Sequence, residues 1–379
     1  MTNGRKQKCI FMYKARNLLG SAGGIERATA DLANELHSLG YDVVVGTRDT
    51  HEGEMFFKLQ PGITLKHFSP RYNKLKDWAA HLAGGKSNPW SKEAQFSRRI
   101  HRYLQELRPD FIIAAGIKDL RDLTLTAPLP CKCCLQLHQA PEAIFKAMRD
   151  DLRGILDKAD CVQVLHQSFA DVVRRATNAK IVVIPNMVRS DLKSQPPESS
   201  HLEHKMIVYP ARIEPDKQQA KLIKAFAKTK ARNNGWQLTC YGQAKNRKYH
   251  QLCLDEIKKN GLEGQARLCE AVPDIGARLR QAEIGAFPSL AEGFGLGLAE
   301  MMAAGLPVVG FLDAKGVNNL INHRQNGYLA KDENDFARWL DKLAADKKLR
   351  QKLGRKAKAD IAAFAPDKIV GRWEEVINA

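Results

Sequence analysis

Short apolar runs of strand length alternate along this chain with longer segments whose apolar residues recur at helical spacing, and the alternation occurs twice. The first series opens at residues 8–13. It continues through a helix over 25–39, in which Ile25, Ala28, Leu32, Leu36 and Leu39 share a face and Gly40 is the stop, to a strand at 41–46. Runs at 111–115, 133–137, 161–165 and 180–184 supply further strands, with helical segments around 141–158 and 168–176. The second series has strands at 205–211, 236–242, 266–271, 283–287 and 307–311, with helices at 218–232, 247–259 and 296–304. Strands joined through helices lie parallel with both sheet faces covered, so the expected fold is α/β with two doubly wound, Rossmann-like domains.

Between the two series, residues 188–204 hold Ser190, Ser194, Pro196, Pro197, Ser199 and Ser200 and read as a linker. The expected organisation is an acceptor-side domain over 1–187, the linker, a nucleotide-sugar domain over 205–365 and a terminal helix over 366–379. With 379 residues, 44% of them hydrophobic, the chain suits two ordinary cores. No apolar run approaches the roughly 18 to 20 residues of a membrane-spanning helix, and the first residues are polar and basic rather than a secretory signal. The 8 cysteines follow no disulfide framework and read as reduced thiols of a cytoplasmic protein. Cys131, Cys133 and Cys134 lack the second paired cluster that a zinc site needs, so neither metal nor cofactor is expected.

The chemistry concentrates in Ser289–Gly305, where Glu292 and Glu300 stand with seven residues between them. A strand ends at Pro288 and a helix starts at Leu296, so Gly293, Gly295 and Gly297 fall at a strand-to-helix turn. Missing side chains let a ligand reach the backbone there, and the free N–H groups of the first helical turn suit a diphosphate. A carboxylate beside phosphates needs hydroxyl partners. Glu300, leaning back from the next turn, suits a ribose, and Glu292, ahead of the turn, lies on the sugar side.

This stretch resembles the Glu-x7-Glu signature of retaining glycosyltransferases of GT-B fold, in particular the large family 4 with its bacterial lipopolysaccharide-core and phosphatidylinositol mannosyl transferases. The resemblance implies that Glu292 contacts donor-sugar hydroxyls, that Glu300 holds the ribose, and that the backbone of Gly293, Phe294, Gly295 and Leu296 meets sugar and diphosphate. Gly23 and Gly24 resemble the family's donor-facing glycine loop, and Arg212 and Lys217 its Arg-x4-Lys pair that neutralises the diphosphate. Gly316 to Ile321, followed by Asn326 and Gly327, resembles the segment after the signature helix. His138 stands where the family has a histidine near the reacting centre. On this likeness His138, Arg212, Lys217 and Glu292 form the catalytic group, two domains face a central cleft, and the last helix crosses back. The implied reaction moves a hexose or N-acetylhexosamine from a nucleotide-diphosphate sugar, UDP above others, to a lipopolysaccharide-core or other membrane-associated glycan, with retention and without a metal. The chain carries no Asp-x-Asp motif.

Plainer readings stand beside these. Arg212 and Lys217 also fit solvated surface charges, and His138 a core histidine. The net charge of +18 implies an anionic partner: nucleic acid, anionic lipid or a phosphorylated glycolipid. Residues 66–108 hold ten basic side chains against Asp77, Glu93 and Glu106, together with Trp78 and Trp90, and are expected to form an insert that meets the inner membrane surface or the acceptor through Arg98, Arg99 and Arg102. That places the protein peripherally on the cytoplasmic face. A solvated face is the plain alternative. A glycosidase could use Glu292 and Glu300 as its two carboxylates, but the phosphate-type turn and Arg212/Lys217 argue against it. A nicotinamide enzyme would need Gly-x-Gly-x-x-Gly after the first strand, where this chain has Gly20, Gly23 and Gly24. A nucleic-acid-binding protein leaves the glutamates without a role, so nucleic acid is not the expected partner.

Overall fold

The computed structural model describes residues 7–49, 53–68, 73–82, 91–146, 148, 152, 154–189 and 205–379. The chain divides into two compact units. The first comprises residues up to Ser21, Ile25–Pro185 and Val370–Ala379, and the second Ala22–Gly24 and Asn186–Ile369.

The first unit contains β1 (Cys9–Tyr13), α1 (Gly24–Ser38), β2 (Asp42–Thr47), β3 (Thr64–His67), α2 (Lys74–Leu82), α3 (Lys92–Leu107), β4 (Phe111–Ala114), α4 (Ile117–Thr124), β5 (Cys133–Leu137), α5 (Pro141–Lys146), β6 (Cys161–Val164), α6 (Gln167–Val173) and β7 (Lys180–Val183). Its strands lie in the order β3-β2-β1-β4-β5-β6-β7, every neighbouring pair parallel. All five residues of β1 are buried, as expected of a central strand covered by helices on both faces. Each large apolar side chain hidden there contributes roughly 1.5–3 kcal/mol.

The second unit contains β8 (Met206–Pro210), α7 (Gln219–Ala227), β9 (Gln237–Tyr241), α8 (Arg247–Lys259), β10 (Ala266–Cys269), α9 (Gly276–Leu279), β11 (Ile284–Phe287), α10 (Leu296–Ala303), β12 (Val308–Phe311), β13 (Gly327–Ala330), α11 (Glu333–Ala345), α12 (Lys347–Ile361) and the start of α13 (Pro366–Asn378). Its six parallel strands run β10-β9-β8-β11-β12-β13 around a core that includes Tyr209, Phe226, Phe287, Phe294 and Phe336. Both units are therefore doubly wound α/β sheets, the architecture expected from the alternation.

Three expectations need correction. Residues 66–108 are not an insert on the fold. Lys66 lies in β3, opposite Gly46 of β2, and α3 is the covering helix that leads into β4, burying Ala94, Phe96, Ser97, Ile100 and Leu104. Its apolar stripe was hidden among basic residues that occupy the solvent side. Arg71, Lys86 and Trp90 of that segment lie outside the described residues. The helix expected over 218–232 ends at Ala227, because Thr229 Oγ1 donates to Phe226 O at 2.7 Å and the Asp341 carboxylate accepts from Lys230 N at 3.0 Å and Ala231 N at 2.9 Å. The helix expected over 141–158 is α5 and a separate 3-10 turn, Ile155–Lys158, entered through Gly154 at φ +73°. Residues 190–204, most of the expected linker, lie outside the described residues. Among the described residues no helix is long and apolar enough to cross a membrane.

Candidate functional site

In the second unit the strand order reverses between β8 and β11, since the connections from β8 proceed to one side through β9 and β10 and those from β11 to the other through β12 and β13. At such a switch point the loops beyond the two strand ends diverge and leave a crevice. The loop after β8 carries Arg212 and Lys217, and the loop after β11 carries Ser289, Glu292 and the glycines.

These two loops are joined through charge and hydrogen bonds. Lys217 Nζ lies 2.8 Å from Glu292 Oε1 and 3.2 Å from Asp216 Oδ2, at the end of a 3-10 turn over Pro215–Lys217. Ser289, fully buried, donates through Oγ to the same Glu292 Oε1 at 2.7 Å. Tyr209 OH donates to Lys217 O at 2.8 Å, and Leu290 N donates to Asp216 O at 3.1 Å, so the turn is pinned from both strands. Burial pulls the Lys217 ammonium toward deprotonation, but the Glu292 and Asp216 carboxylates outweigh it and hold its pKa above the usual lysine value. Lys217 is thus a fixed cation. Arg212 lies on the same loop, its Nη1 3.3 Å from Glu214 Oε1, and its carbonyl accepts from the buried Gln219 Nε2 at 2.7 Å.

Beyond Glu292 the chain turns through Gly293, Phe294 and Gly295 into α10. Gly295 caps that helix at φ +83°, a conformation that a side chain resists, and as a glycine it puts no capping side chain on the first-turn N–H groups. Gly297 is required for a different reason: a Cβ there would stand 2.3 Å from Pro210 O, so the first turn of α10 rests on the end of β8 only because the side chain is missing. Phe294 is buried, its ring 5.2 Å from that of Phe364, which leaves its backbone rather than its ring for the turn. Glu300 is buried one turn into α10, and Glu292 N donates to Lys315 O at 2.8 Å, which backs the loop from β12.

In the first unit His138 follows β5 directly. Both ring nitrogens are covered, and neither has a hydrogen-bond partner. Burial, and after it the charge of Lys14, push its pKa down to about 4, so the ring is neutral at pH 7. Gly23 and Gly24 stand at the head of α1, and Ala22–Gly24 group with the second unit. The loop after β1 is held by two carboxylates: Asp49 accepts from the N–H groups of Asn17, Leu18 and Leu19 at 2.5–2.8 Å, and Asp119 Oδ1 from Ala15 N at 2.9 Å. Beside them Arg48 Nε donates to Asp122 Oδ2 at 2.6 Å, and Tyr13 OH lies 3.4 Å from the same oxygen. Burial pushes the Asp119 carboxyl up to about 6. This buried network, like Ser289, escaped sequence reasoning. Its one signal is the pair Asp119 and Asp122, at helical spacing just after a strand.

The three arginines of α3 do not share one environment. Arg98 and Arg102 are exposed and line a groove of about 490 Å³ with His101, Gln105 and Thr126. Arg99 is half-buried over the Phe96 ring at 5.3 Å, and burial followed by the charge of Arg102 lowers its pKa. No group of side chains suited to hold a metal ion occurs among the described residues.

Two family models match the chain, "Glycosyltransferase Family 4" over residues 22–192 and "Glycosyl transferases group 1" over residues 192–360. An exopolysaccharide phosphotransferase of Streptomyces coelicolor is 31% identical over 94% of this chain, which spans only 39% of that relative's length. The amylovoran biosynthesis glycosyltransferase AmsD of Erwinia amylovora is 22% identical over 97% of this chain and 100% of its own. Among solved structures, Anabaena HepE in complex with UDP and glucose superposes with a TM-score of 0.79 at 20% identity, covering 98% of this chain and 100% of that one. Staphylococcus aureus TarM, in a complex that includes UDP, gives 0.79 at 17% identity, covering 98% and 100%. At these identities the structural likeness speaks for the fold.

Proposed function

We propose, for a chain that belongs to the GT-B glycosyltransferases of family-4-like type, that it transfers a hexose or N-acetylhexosamine from a nucleotide-diphosphate sugar to a lipopolysaccharide-core or other membrane-associated glycan. The nucleotide is UDP, the anomeric configuration is retained, and no metal takes part. The observation that carries the reading is the meeting of Lys217, Glu292, Ser289 and the glycine-capped head of α10 at one switch point.

Each group then has a task. Lys217, with Arg212 on its loop and the first-turn N–H groups of α10, faces negative charge as it grows on the departing diphosphate, and such preorganised electrostatics contribute several kcal/mol. Glu292 receives Lys217 and Ser289 on Oε1, which leaves Oε2 to accept from a donor-sugar hydroxyl. Glu300 accepts from the ribose. With its ring nitrogens covered and a pKa near 4, His138 is a poor proton acceptor at pH 7. Donor phosphate oxygen is then the group that helps deprotonate the acceptor hydroxyl. The UDP and UDP-glucose complexes of HepE belong to that protein and support the choice of base. The name of the Streptomyces relative, an exopolysaccharide phosphotransferase, and that of the Erwinia relative, a biosynthesis glycosyltransferase, support a role in making a glycan.

A thermal-shift panel of sugar nucleotides, run with Mg2+ and with EDTA, tests the reading, because a ligand of the native state raises the melting temperature. UDP-sugars should raise it equally in both buffers. A shift that requires the cation would remove the metal-free chemistry, and a shift with another base alone would replace UDP.

A further inference from the structure

We infer that α2 is the element through which the first unit enters an anionic phospholipid surface, with Arg98 and Arg102 of α3 on the headgroups beside it. The inference deepens the membrane-associated acceptor of the proposed function and rests on that reading only for its purpose. Leu75 and Trp78 are 78% and 65% exposed, one helical turn apart on α2. By contrast Trp236, Trp339 and Trp373 are all buried. Single exposed apolar side chains are ordinary, but a leucine and a tryptophan on one short helix, flanked by exposed Lys74 and Lys76, make an apolar strip with a basic rim.

The helix is held in place. Asn73 N donates to Gln95 Oε1 at 2.8 Å, Gln95 Nε2 donates back to Asn73 O at 3.3 Å, and Asn73 Oδ1 accepts from Lys76 N at 3.1 Å. From Gln95 the same stripe of α3 continues through Arg98 and Arg102, both exposed and without a carboxylate partner among the described residues. Arg99, half-buried over Phe96, is outside that stripe's solvent face.

The charge selects the occupant. A bilayer bearing phosphate headgroups complements lysines and arginines around an apolar strip, whereas a two-fold contact with a second copy would set these cations against one another in a chain of net charge +18.

The test uses the full chain with vesicles of phosphatidylcholine alone or mixed with phosphatidylglycerol. Binding is read by co-sedimentation and by quenching of tryptophan emission with brominated lipid. The protein should bind the anionic vesicles only, less as salt rises, with quenching lost in Trp78→Phe. Leu75→Ala/Trp78→Ala should lower partitioning by on the order of a hundredfold, because each apolar side chain withdrawn from water is worth about tenfold. Arg98→Gln/Arg102→Gln should lower it several-fold, and Arg99→Gln should not. Calorimetric UDP-sugar affinity should stay unchanged in every variant, so a failed membrane contact is distinguishable from a failed donor site. Absent vesicle binding, or binding that survives Leu75→Ala/Trp78→Ala, overturns the inference. So does a dimer that this double change dissolves, which would assign the strip to a second copy.

Discussion

Glu292 Oε1 receives both the ammonium of Lys217 at 2.8 Å and the hydroxyl of Ser289 at 2.7 Å, so one carboxylate oxygen joins the loops that follow β8 and β11. Lys217 and Glu292 are therefore one coupled unit in the second sheet, and changes at either should be felt at the other.

Lys217→Ala should lower transfer by about a hundredfold, as loss of a charge-stabilising donor commonly does. The same change strands Glu292, so Lys217→Ala and Glu292→Ala should be non-additive in stability by on the order of 1 kcal/mol or more. A double-mutant cycle by urea denaturation reads the coupling and steady-state kinetics the transfer. Additive stabilities would mean that the contact at Oε1 is energetically idle.

The two glutamates should separate in calorimetry. Glu300→Ala should weaken UDP and UDP-sugar alike, by roughly 1.5–3 kcal/mol for a lost hydrogen bond to a charged acceptor. Glu292→Ala should spare UDP and reduce sugar discrimination and turnover. Equal loss of UDP affinity in both variants ends this division, and a glycosyl ester trapped on Glu292 would make it a nucleophile.

Two buried groups should give opposite pH slopes. Asp119 keeps its proton up to about pH 6 in the folded chain, against 3.8 for an ordinary carboxyl, so its contribution falls as pH rises from about 4 to 6. His138 stays neutral down to about pH 4, against the usual 6.5, so between about 4 and 6.5 the unfolded chain binds the extra proton and stability rises with pH. Each is worth on the order of 3 kcal/mol, and the two offset. Asp119→Asn should expose a rising slope over that window and His138→Gln a falling one, measured by urea denaturation at stepped pH. Variants with the wild-type slope would show that burial does not move these groups.

Gly297→Ala sets propensity against packing. Alanine favours a helix by up to about 1 kcal/mol, but a methyl 2.3 Å from Pro210 O forces β8 and α10 apart, at a typical cost of about 1–3 kcal/mol. Net destabilisation and weaker UDP binding are expected from denaturation and calorimetry. A more stable variant would show that the two elements separate freely.

The sheets were legible because their strands are short apolar runs with turn residues at both ends, as in 133–137 and 161–164. Arg212, Lys217 and Glu292 were legible because each follows such a run. The link from Lys217 to Glu292 was not, since it depends on β8 and β11 being neighbours although other strands intervene in sequence. Ser289, Tyr209 and Asp216 were missed for the same reason: their task is to hold another side chain, and the partner is fixed only by strand order. The charged helices α11 and α12 went unassigned because the many charged residues of 331–361 leave a thin apolar stripe, and β13 because its run is only four residues long. The split of Arg99 from Arg98 and Arg102 was readable in principle from helical spacing, once Phe96 and Ile100 are recognised as buried.

The first unit closes with residues that follow the whole of the second. Val370–Ala379 belong to it, Lys8 Nζ reaches Asn378 Oδ1 at 2.8 Å, and Tyr41 OH accepts from Asn378 Nδ2 at 3.2 Å. The second unit is, in chain order, an insertion within the first. During synthesis the β1 sheet therefore leaves the ribosome lacking its final helical segment, while the β8 sheet has all of its strands beforehand. Vectorial folding would then complete the later-made unit before the earlier-made one, which waits on its last ten residues.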